Sequence, residues 1–316
     1  MISIVIPNYN GKEFLYSCIN SIMNQTLIAD EIIIVDNNST DGSLEYIKNN
    51  YPMVKLIELE KNYGFSKAVN VGIKTSKNPY VVLLNNDTVA EEDWLENLYN
   101  CIAQKENVFS CSSKMLRLDN KEIIDDAGDG YTLLGWSVKH GDGKDSKLYN
   151  SDREIFSSCA GAAIYRKSIF EEIGYFDESF FAYLEDLDIC YRARIYGYKC
   201  FFASKAIIYH KGSATSGSKY NAFKTKLVPR NNILLLYKNM PIIQLLINLP
   251  FIMIGYLIKL LFFSFRSLGK EYINGIVSGI KLSINTEKVK YSNKHIKNYF
   301  IIQLNLIKET ISLLRK

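Results

Sequence analysis

The 316-residue sequence predicts an α/β protein on a mostly parallel sheet, followed by a basic helical region. Three observations predict it. Over the first hundred residues, short apolar runs alternate with stretches whose apolar positions recur at helical spacing, as strands joined by crossover helices do. Asn or Asp follows each strand-like run or stands within a few residues of its end, at the side of a parallel sheet where ligands bind. The charge also divides: residues 1–210 hold 21 Lys+Arg against 30 Asp+Glu, whereas residues 211–316 hold 17 against 3, a net +14. The first part has the balance of a soluble enzyme; the second should seek a polyanion, nucleic acid or an anionic membrane surface.

In chain order, residues 2–6 read as a buried strand ended by Pro7, and Asn8-Tyr9-Asn10-Gly11 turns the chain. Phe14, Leu15, Cys18, Ile19 and Ile22 mark one face of the first helix. The absence of a basic leader before the apolar run makes this start a strand, not a signal peptide. Residues 32–35 form a second strand that delivers Asp36-Asn37-Asn38-Ser39-Thr40-Asp41-Gly42, with a helix over 43–49. Residues 54–59 are a third strand, and Asn62-Tyr63-Gly64-Phe65 leads into a helix carrying Ala68, Val69 and Ile73. Residues 80–84 are a fourth, ending in Asn85-Asn86-Asp87.

Residues 117–156 are rich in Gly and Asp and read as loops, with Trp136 either stacking on a ligand or anchoring the loop. An amphipathic helix then opens with Glu185, Asp186 and Asp188, where unpaired N–H groups favour carboxylates, and Gly197 suits its C-terminal end. Asp188 has Arg192 at i,i+4, so some of these acids serve as caps and pairs, while one held ionised beside aromatic walls suits a general base. Two β-like runs, 199–203 and 206–209, form a short hairpin closed by His210. His140 and His295 read as surface residues. The six cysteines show no C-x-x-C spacing and are expected as reduced core thiols.

The strand ends bring together Pro7, Asn8, Asn10, Asp36, Asn62, Gly64, Asn85, Asn86 and Asp87, amide and carboxylate groups suited to a nucleotide. No G-x-G-x-x-G or Walker sequence is present and no basic cradle is visible, so phosphate charge needs a divalent cation, with Asp87 as a hard oxygen ligand for Mg²⁺ or Mn²⁺.

At these residues the chain resembles a known family. Ser3-Ile-Val-Ile-Pro-Asn-Tyr-Asn, Val35-Asp-Asn-Asn-Ser-Thr-Asp-Gly, Asn62-Tyr-Gly-Phe and Leu84-Asn-Asn-Asp are similar to the nucleotide-sugar half of family 2 glycosyltransferases of GT-A fold. Gly161-Ala-Ala-Ile-Tyr-Arg, Gly174-Tyr-Phe-Asp-Glu and Phe180-Phe-Ala-Tyr-Leu-Glu-Asp-Leu-Asp resemble the acceptor half, in the rhamnosyltransferase-like branch. The ordered match covers residues 1–212. The resemblance implies inverting transfer of a sugar, in this branch rhamnose, from a dTDP- or UDP-linked donor to a glycan or polyprenyl-linked acceptor in cell-surface polysaccharide synthesis. It makes Asp186 the base and Asp87 and His210 the metal or diphosphate ligands. Beside that, Glu185 reads as shaping the acceptor site, and Trp136, if it stacks on a ligand, belongs there too. The chain departs from the family's DxD pattern, with Asn85 where the first acid would stand.

The expected division is a catalytic domain over 1–228, split near 116 into nucleotide-sugar and acceptor halves, and a helical region over 229–316. Residues 241–258 are eighteen without a charge, long enough to span a bilayer, but Pro250 and Gly255 interrupt them and Lys259 follows inside the apolar stretch. A re-entrant or in-plane amphipathic pair of helices on the cytoplasmic face of a membrane, anchored by Arg266, Lys270 and later lysines, fits better than a span; the alternative is a bundle packed on the catalytic domain. No nucleic-acid partner is expected. The competing functions are nucleotidyl transfer, disfavoured because Asn8-Tyr9-Asn10-Gly11 lacks a basic Gly-rich loop, and a catalytically silent sugar-nucleotide-binding protein, which donor turnover would distinguish.

Overall fold

The computed structural model describes residues 1–212 and 220–315. Its first part is β1 (Ile2–Asn8), α1 (Lys12–Met23), β2 (Glu31–Asp36), α2 (Ser43–Asn50), β3 (Lys55–Glu58), α3 (Phe65–Thr75) and β4 (Tyr80–Leu84), strand and helix in alternation. In parallel register Ile4 lies beside Ile32 on β2 and Val82 on β4. Ile4, Ile6, Ile34 and Val82 enter one core, while Val5, Ile33, Val35, Val81 and Leu83 enter the core on the opposite face. Burial on both faces is why these strands read as continuous apolar runs rather than alternating ones.

The chain continues with β5 (Thr88–Ala90), α4 (Trp94–Ala103), β6 (Val108–Arg117), β7 (Ile124–Asp126), β8 (Asp129–Tyr131), β9 (Ser137–Lys139) and β10 (Arg153–Ile155). Then come β11 (Ala162–Arg166), α5 (Lys167–Ile173), α6 (Glu185–Ile195) and β12 (Lys199–His210). The sheet runs β10-β12-β6-β11-β4-β1-β2-β3, with β11 and β10 antiparallel to their neighbours. This is the expected α/β architecture, mostly parallel at its centre, with a C-terminal helical region.

Four local expectations are corrected. Residues 117–156 are not loop alone: β7 pairs with β6, and β8 with β9 makes a hairpin whose Tyr131 is wholly buried, in runs too short to show a period. The two runs before His210 are one twelve-residue strand, not a hairpin. A bulge between Ala203 and Ile207 absorbs Ser204, whose N–H and hydroxyl both donate to Asp152. Helix α6 is buried almost all round, not amphipathic, because later helices cover the side that the sequence leaves polar. His140 and His295 are not free surface residues: His140 Nε2 lies 3.0 Å from Glu309, and the His295 ring packs on Tyr196 at 4.8 Å between centroids.

The helical region comprises α7 (Ala222–Asn239), α8 (Ile242–Ser264), α9 (Gly269–Ile284) and α10 (Ile296–Leu314). Helix α7 runs unbroken through residues 228 and 229. Its Leu234, Leu235, Leu236 and Met240, with Ile302 and Leu306 of α10, join Tyr131, Phe156, Phe180, Leu187 and Tyr191 in a third core. Pro250 and Gly255 do not interrupt α8, which is continuous over 23 residues. Pro250 sits on the exposed side, and Gly255 lets the helix close on Leu134, where any Cβ would collide with the Leu134 carbonyl. Among the described residues, α8 is the one helix long and apolar enough to cross a membrane by length and composition.

Candidate active site

A cavity of about 1140 Å³ opens beyond the carboxyl ends of β1 and β4 and is walled on its far side by α7, α8 and α9. From residues 1–116, Pro7, Asn8, Asn62, Gly64, Asn85, Asn86 and Asp87 line it; from residues 117–212, Trp136, Glu185, Asp186 and His210. Two of the expected donor residues stand outside the lining. Asn10 is exposed and its Oδ1 accepts from the Thr40 N–H at 2.8 Å. Asp36 is fully buried and accepts from Asn8 Nδ2 at 2.7 Å and from the Ser39 hydroxyl and N–H, each at 2.7 Å. Asn8 in turn accepts from Asn86 Nδ2 at 2.7 Å, so Asp36 orients the amides of two lining residues. Asn62 turns the chain by accepting from Gly64 N–H at 2.9 Å, and Gly64, at φ +87°, is needed because a Cβ there would strike the Phe181 backbone.

Asp87 and His210 meet because β5 pairs with the end of β12. His210 Nε2 lies 3.4 Å from Asp87 Oδ1, and its Nδ1 lies 2.8 Å from Asp125 Oδ2. Burial disfavours the imidazolium, but the hydrogen bonds to Asp125 and Asp87 outweigh it and raise the pKa to about 9. Asp125 is likewise opposed by burial yet held down to about 2 by His210 and Lys139. The resemblance noted in the sequence implies a divalent cation. A separation of 3.4 Å suits two donors to one small cation, whose ligands sit at about 2.0–2.2 Å, and Asp125 stands behind His210 as the carboxylate that fixes a ligating imidazole commonly does. Among the described residues no cluster of three or more His, Cys, Asp or Glu is arranged around one point, and the pair that meets here is Asp87 and His210.

The three acids of α6 have separate environments. Asp188 is buried and fully occupied: Arg192 donates at 2.9 and 3.0 Å, Lys238 at 3.2 Å and Asn239 at 2.8 Å. Against the cost of burial these cations hold its pKa down, so it is a structural anion. Glu185 is buried with Oε2 unpartnered among the described residues, and burial together with neighbouring Asp186 pushes its pKa well up. Asp186 reaches the cavity and accepts from Leu187 N–H at 2.8 Å and more weakly from Ala160 N–H at 3.4 Å. Burial outweighs those bonds and raises its pKa, which makes it a better proton acceptor than an ordinary aspartate.

The segment before Asp186 is bent into an unusual path, with Phe181, Tyr183 and Leu184 all at positive φ. Such residues persist only where surroundings over-determine them. Here the clamp is Asn231 of α7, whose buried Nδ2 lies 2.9, 2.8 and 2.7 Å from the carbonyls of Phe180, Ala182 and Tyr183.

Several site residues escaped sequence reasoning. Asp125 lies in a Gly/Asp run that looks like a loop, and Asn231 in a helix more than forty residues from the acids it supports. The expectation of no basic cradle is corrected: Lys139, Lys224 and Lys259 line the cavity, brought there by a hairpin and two distant helices. No local motif connects them.

Residues 3–174 match the family model described as "Glycosyl transferase family 2". An uncharacterized glycosyltransferase of Haemophilus influenzae is 24% identical over 97% of this chain and 98% of its own length. The glycosyltransferase GlyG of Streptococcus pneumoniae is 34% identical over 34% of this chain, a stretch that spans only 36% of GlyG. A mannosyltransferase from Pyrobaculum calidifontis, solved with GDP-Man and Mn²⁺, superposes with a TM-score of 0.56 at 14% identity, covering 88% of this chain and 86% of that one.

Proposed function

The chain belongs to glycosyl transferase family 2, and from that membership we propose that it moves a hexose from a dTDP- or UDP-linked donor to a hydroxyl of a glycan or lipid-linked glycan, with inversion at the anomeric carbon. Rhamnose is the donor sugar that the sequence motifs favour. The observation that carries the mechanism is the contrast on α6: Asp188 is saturated by cations, whereas Asp186 faces the cavity with a raised pKa. In the proposed step Asp186 takes the acceptor hydroxyl proton as that oxygen bonds to the anomeric carbon and the bond to the diphosphate breaks. One carboxylate suffices for a single displacement.

On the donor side, Asn8, Asn86 and Asn62 are assigned to the nucleotide, with Asp36 holding the amides of Asn8 and Asn86 in place. Asp87 and His210 would hold Mg²⁺ or Mn²⁺, which when bound offsets charge on the leaving diphosphate. Lys139 adds positive charge to the same cavity. Glu185 and Trp136 are assigned to the acceptor side. The helical region is proposed to rest on the cytoplasmic face of a membrane, because α8, α9 and α10 leave large apolar side chains exposed within a chain segment of net +14.

The test is release of nucleoside diphosphate from UDP- and dTDP-hexoses by the purified protein, with the anomeric configuration of the product read by NMR. The expected result is cation-dependent release, lost on chelation and in Asp87→Ala, with an inverted product. Release that survives complete chelation would remove the metal assignment, and a retained configuration would remove the single displacement.

A further inference from the structure

The cavity has two chemically different walls. Its carboxylates, Asp87, Asp129, Glu185 and Asp186, all come from the first part of the chain. The wall supplied by residues from 220 onward carries no carboxylate among its described lining residues, but presents Lys224, Lys259 and the rings of Phe223, Tyr256, Phe263 and Tyr272. Lys259 is half-buried and has no carboxylate within 4.0 Å among the described residues; its ammonium lies 5.3 Å from the centre of the Trp136 ring. Burial alone lowers its pKa to about 8. A cation held this way, with an aromatic face in place of a counter-ion, is a poor structural device but a ready partner for an incoming anion.

Helix α8, which supplies Lys259, has a second face. Tyr256, Lys259 and Phe263 follow one stripe into the cavity, while Met253, Ile254, Leu257, Ile258 and Leu261 are 46–64% exposed on the other sides. Its best-buried positions include polar Gln244 and Asn248, which hydrogen-bond to Gln303. The helix thus buries two amides beside Ile252 and Gly255 and leaves most of its large apolar side chains outward, unlike a helix that ends in water. With a net +14 over residues 211–316, the medium that fits its outer face is an anionic lipid surface.

We propose that the C-terminal wall is a subsite for a phosphate-bearing acceptor anchored in that lipid surface, with Lys259 contacting the phosphate beside Trp136. This rests on the glycosyl-transfer reading and specifies its acceptor. An acceptor that enters past α8 brings its linking group to Lys259 before its sugar reaches Asp186. Among sugar–lipid linkages a phosphate is the anionic one; a neutral ether or ester linkage would leave this cation without a partner.

Trp136 is the natural reporter. The only other tryptophan, Trp94, is fully buried and donates to Ser113 at 2.8 Å, away from the cavity lining. The probes are farnesyl phosphate and farnesol in phosphatidylcholine vesicles, and inorganic phosphate alone, titrated against the full chain by tryptophan fluorescence. Farnesyl phosphate should bind at least tenfold tighter than farnesol or inorganic phosphate; Lys259→Met should abolish the preference over farnesol, and Lys259→Arg should keep it within about threefold. Equal affinity for farnesol and farnesyl phosphate, or a preference that survives Lys259→Met, overturns the phosphate subsite. Equal affinity for inorganic phosphate and farnesyl phosphate overturns the lipid anchor. UDP and dTDP titrations of the wild type run in parallel: nucleotide binding without phosphate discrimination fails this subsite alone, whereas absence of nucleotide binding fails the glycosyl-transfer reading.

Discussion

The two parts of the chain bury opposite things. In the first part the sheet hides Ile, Val and Leu on both faces, and the polar groups gather at one edge around the cavity. In the C-terminal helices the buried positions of α8 and α9 include Gln244, Asn248, Gly275, Gly279 and Ser283, while Ile243, Leu246, Ile247, Val277, Ile280 and Ile284 face outward. The first arrangement is what water selects; in the second, small and hydrogen-bonded residues permit close helix packing and large apolar side chains are left exposed, the surface proposed above to meet lipid. Yet the regions are not independent. Asn231, Lys238 and Asn239 of α7 reach across to hold the backbone before Asp186 and the carboxylate of Asp188. The proposed base stands in the first part, and residues that hold its surroundings stand in the second.

That division can be broken experimentally. The largest expected effect is Asp186→Asn, which should lower kcat by about 10²–10⁴ with donor affinity kept within twofold, as loss of a positioned base does. Turnover and calorimetric donor titration check it, and near-normal turnover would take the base role from Asp186.

Next is Lys238→Met, which removes a cation from Asp177 at 2.6 Å and Asp188 at 3.2 Å. Breaking such a buried cluster should cost about 3 kcal/mol at neutral pH. Both carboxylates titrate below their ordinary value in the fold, despite burial, largely because of Lys238. Their contribution is therefore complete above that ordinary value and is lost as pH falls through the lowered one. The variant should unfold at a higher pH than wild type in an acid titration followed by circular dichroism. Coincident acid transitions would show that α7 does not anchor α6 through this residue.

Asn231→Ala should cost about 2 kcal/mol, the penalty for leaving buried carbonyls without a donor, and should lower kcat about tenfold with little change in donor affinity. A fall in melting temperature without a fall in kcat would make Asn231 a stabilising residue and not a positioning one.

The smallest effect on the isolated protein is expected from the pair Leu257→Ser and Leu261→Ser, at 56% and 52% exposure. In solution the change should stay within about 0.5 kcal/mol, as exposed substitutions do. Sedimentation with vesicles containing phosphatidylglycerol should nevertheless fall at least tenfold, since each leucine would otherwise bury apolar area worth about 1.5–3 kcal/mol. Unchanged sedimentation would mean that the outer face of α8 does not touch lipid.

The sequence by itself determined the strand–helix alternation of the first part, because a parallel sheet buried on both faces demands apolar runs of strand length and turn residues between them. It also determined which strand ends carry Asn and Asp, and that Glu185, Asp186 and Asp188 share the first turn of one helix, since these are matters of local order along the chain. Only the tertiary structure decided which acid is spent on structure. Asp188 is claimed by Arg192 within its own helix but also by Lys238 and Asn239 from α7, about fifty residues away, and no local period reports such a contact. The same holds for Asp125 behind His210, which depends on β7 lying beside the end of β6, and for Lys139, Lys224 and Lys259 meeting in one cavity. The tail shows the limit most clearly: an uncharged run reads the same whether its apolar side chains face a core or a membrane. Packing reveals that α8 turns Gln244 and Asn248 inward beside Ile252 and most of its leucines and isoleucines out, because those two amides find a partner in Gln303 on α10.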